Sequence, residues 1–229
     1  MAKHAPPVQI LYEDNHLIVV NKPAGMLVQG DRTGDDSLIE VLKKYIKVTY
    51  HKPGNVFLGL PHRLDRPVSG VVILTKTSKA LERMNEQFRM KQVEKIYWAL
   101  THATPAELEG KLTHWLVKDH RKNLVSATAK AKKGALKAEL LYKVIGKISD
   151  EHLIEVRLIT GRYHQIRVQL KSTGCPIVGD IKYGFNKPNR DGSICLHART
   201  IRCIHPVRKE PMTFEAPLPE QNWTNFQSF

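Results

Sequence analysis

The stretch Leu60-Pro61-His62-Arg63-Leu64-Asp65-Arg66-Pro67-Val68-Ser69-Gly70 crowds two arginines, a histidine and one carboxylate into a turn ahead of an apolar run. A loop of this kind can present a charge to a cleft. Arg63 and Arg66 flank Asp65, and nearby positive charge favours the ionised form that a carboxylate nucleophile needs. The same spacing also suits a structural ion pair. A second cluster, Gly161-Arg162-Tyr163-His164-Gln165-Ile166-Arg167-Val168-Gln169-Leu170, puts Tyr163, Ile166 and Arg167 on successive turns if it is helical, with His164 and Arg167 three apart. It suits a helix that packs on one side and turns cationic or amide groups toward a site at its start. A cationic surface helix would show the same pattern. A third set, Cys195, His197, Cys203 and His205, has the form C-x-H…C-x-H, which two paired strands could bring to one ion. Its one-residue spacings depart from zinc-finger and zinc-ribbon patterns, and no H-x-E with P-C-x-x-C deaminase signature is present, so no metal is expected.

These residues need elements to position them. Val8–Tyr12 and His16–Asn21 read as two short strands around an Asp14-Asn15 turn, with Pro23-Ala24-Gly25 as punctuation. Ser37–Ile46 reads as a helix, with Leu38, Val41, Leu42, Tyr45 and Ile46 on one stripe and Ser37 and Glu40 spaced as a capping box. Gly70–Leu74 is a β-branched strand after the Asp65 turn. Ser78–Met90 follows as a helix with Ser78 as its N-cap. From Glu94 onward the period shifts toward two, giving strands at Ile96–Leu100, Leu136–Val144 and Leu153–Ile159. Tyr163–Ser172 is expected to be a short helix ending at Gly174, and Ile194–Ile204 and Met212–Phe214 close the sheet. The basic stretch Lys130–Lys137, with Lys118 to Lys122 nearby, reads as a loop that touches phosphates or is simply solvated. The pattern supports an α+β domain on a largely antiparallel mixed sheet flanked by helices and loops. One domain spanning 1–229, with room for two lobes, is expected.

The charge balance points to a partner. Lys and Arg number 36 against 22 Asp and Glu, a formal net charge of +14, and such a surplus favours a polyanion such as nucleic acid. Cys175, Cys195 and Cys203 cannot all pair within one chain, which fits a reducing compartment and makes the cytoplasm the default. The opening MAKHAPPVQI lacks a charged region followed by an apolar one, and no apolar run approaches bilayer length, so no membrane association is expected.

His62-Arg63-Leu64-Asp65 followed by Ser69-Gly70 resembles the HRLD-x-x-x-SG signature of the RluA-type RNA pseudouridine synthases. Gly161-Arg162-x-His164-Gln165-Ile166-Arg167-Val168 is similar to that family's GR-x-HQ-[IL]-RV block. Lys95-Ile96-Tyr97-Trp98-Ala99 resembles its K-x-Y-x-A strand, Cys195-Leu196-His197-Ala198 its LHA element, and Asn21-Lys22-Pro23-Ala24-Gly25-Met26 its NKPAG turn. Val68 stands where many members have Thr, and Tyr163 occupies a variable position. An S4-type RNA-binding domain is not expected, since the NKPAG turn already lies at residue 21.

The resemblance implies a catalytic domain that isomerises uridines of ribosomal or transfer RNA, with Asp65 as the nucleophile on a flipped-out nucleotide. Arg167 is the candidate cation to pair with Asp65 and keep it ionised, the alternative being a phosphate contact or a surface salt bridge, and the resemblance further implies Tyr97 as the ring that stacks on uracil near C5. Arg63 would fill the gap left by the base or contact a phosphate, with His62 and Arg162 also toward the RNA and Leu196 as an apolar wall. The net reaction neither oxidises, reduces nor hydrolyses, so no metal or organic cofactor is expected. A monomer suffices. The rival is a non-catalytic RNA-binding or ribosome-assembly module of the same fold, but mere binding has no use for a buried carboxylate facing polyanionic RNA.

Overall fold

A computed structural model describes residues 8–30 and 34–229. The first seven positions of the opening stretch read for a leader pattern lie outside the described residues. In chain order the elements are β1 (Gln9–Glu13), β2 (Leu17–Lys22), α1 (Leu38–Thr49), β3 (Ser69–Thr75), α2 (Ser78–Arg89) and β4 (Glu94–Thr101). Then come β5 (Glu109–Asp119), β6 (Leu124–Thr128), β7 (Leu136–Ile148), β8 (Glu151–Leu158), α3 (Gln165–Ser172), β9 (Leu196–Ile204) and β10 (Pro211–Glu215). The fold is α+β, as the alternation of patterns implied. The chain forms two compact units, one made of residues 1–93 with 199–217, the other of 94–198 with 218–229.

In the first unit β2 pairs antiparallel with β1 and β3, and β10 pairs antiparallel with β9. β2 and β3 are buried along nearly their whole length, so they read as unbroken apolar runs rather than alternating ones. Leu17, Val19, Val71, Ile73, Met84 of α2, Ile201 and Phe214 pack into one core. α1 begins with the expected capping box: the Ser37 N–H donates to the Glu40 carboxylate at 3.0 Å. α2 corrects one expectation. Its N-cap is Thr77, whose hydroxyl accepts from the Ala80 N–H at 3.2 Å, while Ser78 is already helical.

In the second unit the antiparallel order is β4, β8, β7, β5, β6. β5 and β6 were not expected as strands. β5 buries only one of its eleven residues, so its apolar alternation is faint and no local pattern marks a strand there. α3 also starts later than expected. His164 has φ 53°, in the left-handed region, and serves as the N-cap, so Tyr163 precedes the helix rather than riding on it. Gly174, just past the helix end at φ +81°, supplies the left-handed residue anticipated there.

Candidate active site

In the first unit, Asp65 sits half-buried in the loop between Gly59 and β3. That loop is anchored at several points. The Val68 N–H donates to the Asp65 carbonyl at 3.1 Å, and the Gly25 N–H donates to the Arg66 carbonyl at 2.8 Å, tying the loop to the Pro23-Ala24-Gly25 turn. His62 serves the same end: its Nε2 accepts from the Ile73 N–H of β3 at 2.9 Å, and its ring stacks on Phe88 of α2 at 5.0 Å. Arg63 is exposed. Arg66 donates to the Gly25 carbonyl at 2.9 Å and to Asp35 at 2.7 Å.

Lys22, which the sequence offers only as part of the NKPAG turn, has a role of its own. It is 0% exposed, and its ammonium donates to the carbonyls of Pro23 at 2.8 Å, Met26 at 2.9 Å and Arg66 at 3.3 Å. One side chain thereby clasps the NKPAG turn to the Asp65 loop. Burial pulls its pKa down to about 7, against which the negative charge of Asp65 pulls up. The signal available in the sequence was a lysine closing a strand that opens with four apolar residues, 17–20, a place where a charge must find partners.

In the second unit, Tyr97 lies on β4 opposite Val156 of β8 and is 7% exposed. Leu196 opens β9 and is buried; the segment before it is laced in by the Cys195 N–H donating to Val178 and the Leu100 N–H donating to Cys195. Arg162 is exposed, with Nε donating to the Lys137 carbonyl at 3.1 Å. Gln165 shapes the turn before α3: its side-chain oxygen accepts from the Arg162 N–H and the Thr160 hydroxyl, and its amide donates to the Glu139 carbonyl.

Arg167 is a buried cation. Its Nε and one terminal nitrogen donate to the two oxygens of Asp180 at 2.7 and 2.8 Å, both side chains are almost fully enclosed, and the guanidinium lies 5.0 Å from the Tyr183 ring centroid. A paired, forked geometry of this kind fixes both position and orientation. Tyr183 is bound at its other end as well: its hydroxyl accepts from the Val125 N–H at 3.0 Å and meets His164 Nδ1 at 2.8 Å. Which of the hydroxyl and Nδ1 donates in that contact follows from the imidazole tautomer. Burial, then the positive charges of Arg167, Lys182 and Lys118, push the His164 pKa down to about 3. Asp180 and Tyr183 were missed because they lie three apart in a stretch, Gly179-Asp180-Ile181-Lys182-Tyr183, with no cluster of reactive types. The available sign was an aspartate directly after a glycine in an apolar run.

The C-x-H…C-x-H set does not form a ligand group. His205 is hydrogen-bonded to Asp14 at 2.9 Å, His197 packs edge-on against Trp223, and among the described residues no three His, Cys, Asp or Glu are grouped to hold a metal.

With this geometry in place, the comparisons decide the family. The model of the RNA pseudouridylate synthase family matches residues 16–172, about two thirds of the chain. The chain belongs to the RNA pseudouridylate synthase family. It is 36% identical over 218 residues to a ribosomal large subunit pseudouridine synthase C of Vibrio vulnificus, covering 93% of this chain and 66% of that one. It is 35% identical over 226 residues to the protein of that name in Buchnera aphidicola subsp. Acyrthosiphon pisum, covering 95% and 70%. Human RNA Pseudouridylate Synthase Domain Containing 4 has a similar structure, with TM-score 0.77, 28% identity and 92% of this chain and 88% of that chain covered. The chain thus spans about two thirds of the length of its curated bacterial relatives. The matched region of this pseudouridylate synthase family member contains Asp65, Tyr97 and Arg167.

Proposed function

We propose that this chain isomerises uridine to pseudouridine in ribosomal or transfer RNA, with Asp65 as the nucleophile, Arg167 as the cation that keeps that carboxylate ionised, and Tyr97 as the ring that receives the uracil. The observation that carries the reading is the family match over a region containing all three residues. The anchoring of the Asp65 loop by Lys22 and His62, and of Arg167 by Asp180, supports it. Catalysis by a carboxylate rewards side chains held in place before substrate arrives.

The bond from ribose C1′ to uracil N1 breaks, the base turns, and C1′ joins C5. The C5 proton leaves, N1 gains one, and the isomer has the same atoms. A carboxylate is suited to take up bonding at the carbon left electron-poor, or to accept a proton from the sugar. The base must be unstacked first, at a cost of a few kcal/mol that falls for a loop nucleotide, so structured RNA loops are the expected substrates. Arg63 and Arg162, both exposed, are available to phosphates or to the gap left by the base.

The test is tritium release from RNA labelled at uridine C5, comparing the natural chain with Asp65→Asn. The natural chain releases tritium and Asp65→Asn does not. Equal release by both overturns the role of Asp65. Failure of the natural chain to release tritium from a full set of cellular RNAs overturns the enzymatic reading in favour of an RNA-binding module.

A further inference from the structure

The residues 118–137 hold seven Lys and Arg against one Asp, a surplus of six within a chain whose net charge is +14. Lys118, Arg121, Lys122, Lys130, Lys132 and Lys133 are all exposed, and among the described residues no carboxylate side chain forms an ion pair with any of them. Lys137 is engaged with Glu139. The single acid, Asp119, is turned to structure: its carboxylate accepts from the Arg121 and Lys122 N–H groups at 2.9 and 3.1 Å, closing the β5–β6 turn. A concentration of unpaired like charge is unfavourable in the free protein and becomes favourable only against a polyanion.

The charges sit on a built feature. β5 and β6 pair from Trp115 with Thr128 to Asp119 with Leu124, and the Thr128 hydroxyl donates to the Lys130 carbonyl at 2.9 Å, holding the start of the second basic loop. Leu116, Val125 and Ala138 from the strands pack with Val168 of α3 and Tyr183. Two tyrosines then pin the hairpin to the start of α3. Tyr163 donates from its hydroxyl to Asn123 at 3.0 Å and lies under the Lys118 ammonium at 4.1 Å, while Tyr183 accepts from Val125. Tyr163 also stacks on His164 at 3.8 Å. The hairpin that bears the cations is therefore fixed to the helix that bears Arg167.

We propose that the β5–β6 hairpin and the loop from β6 to β7 form an RNA-binding arm that takes up backbone phosphates and is registered to α3 through Tyr163 and Tyr183. The proposal rests on the RNA reading above and adds where on the second unit the backbone is held. Phosphate contacts release counterions, so each one adds to the salt dependence of binding whatever the base sequence. An arm that instead receives an acidic protein would leave RNA binding untouched by its neutralisation.

The experiment measures equilibrium binding of a fluorescent stem-loop RNA by the full chain across salt concentrations, with tritium release followed on the same preparations. A variant carrying Arg121→Gln, Lys122→Gln, Lys132→Gln and Lys133→Gln is expected to bind at least about tenfold more weakly at low salt, and its plot of log K against log salt should be shallower by about 3. Ala131→Lys, which adds a charge at an exposed position of the arm, should bind more tightly and steepen the slope, an outcome that loss of folding cannot mimic. Slopes indistinguishable from the natural chain in both variants overturn the arm. RNA binding that follows these slopes without any tritium release supports the arm and defeats only the catalytic reading. Absence of RNA binding by the natural chain defeats both.

Discussion

Arg167 and Asp180 are two opposite charges withdrawn from water together, and such pairs are far more costly to break than to replace as a unit. Asp180→Ala should lower stability by about 3 kcal/mol, read from urea unfolding. Asp180→Asn, which keeps the shape, should depress turnover more than RNA affinity. A turnover number equal to that of the natural chain would remove Asp180 from any role in holding Arg167. His164 gives a pH-dependent counterpart. Its folded pKa is lowered from 6.5 to about 3, so as pH falls below 6.5 the unfolded chain takes up a proton that the folded chain refuses. The histidine's contribution to stability is present above 6.5 and is lost progressively toward 3. His164→Asn tolerates the left-handed backbone and does not titrate there, so its urea midpoint should fall less steeply between those limits. Motif reading gave the residues with reactive types at this scale, Asp65, Tyr97 and Arg167. It gave Lys22 only as part of the NKPAG turn and did not give Asp180 or Tyr183; the importance of these three is visible only as burial and hydrogen bonding.

The elements were legible where one period dominated. β2, β3 and α1 carry dense apolar patterns, and each lies within a few residues of its expected bounds. β5 and β6 carry their apolar groups sparsely among lysines, and the partners that make them strands are β7 and α3, which no local pattern announces. The N-cap of α2 is a similar case. Thr77 and Ser78 are both good caps by type, and backbone geometry chose between them. Thr77→Ala should therefore cost about 1 kcal/mol of stability, and Ser78→Ala much less; comparable losses in urea unfolding would show the assignment to be mistaken. Gly179 has φ +84°, and a Cβ there would lie 2.6 Å from the Asn189 amide and 2.7 Å from the Ser193 carbonyl oxygen. Gly179→Ala should cost more than about 1 kcal/mol from backbone conformation alone and should displace Asp180, whose carboxylate grips Arg167, lowering turnover with stability.

Over the whole chain, the surplus of positive charge predicts that RNA affinity falls steeply as salt rises, because phosphate contacts dominate sequence-independent binding. Single-turnover conversion of RNA already bound should change little over the same range. An affinity independent of salt would contradict a polyanionic partner. Composition also excluded a membrane-crossing apolar run, and among the described residues no helix is long and apolar enough to cross a bilayer. The division into two compact units, by contrast, was not marked by any linker or change in composition: the chain passes between them where α2 gives way to β4, again within β9, and once more after Pro217.

The enclosure of Lys22 makes it a reporter as well as a clasp. An amine that gives up its proton near neutrality is a ready target for acylating reagents, yet this one is covered by three carbonyls and shows no surface to them. Lysines on the outside should react at once while Lys22 waits for the NKPAG turn and the Asp65 loop to part. Its labelling rate, followed by mass spectrometry, would then clock the breathing of the loop that presents the carboxylate.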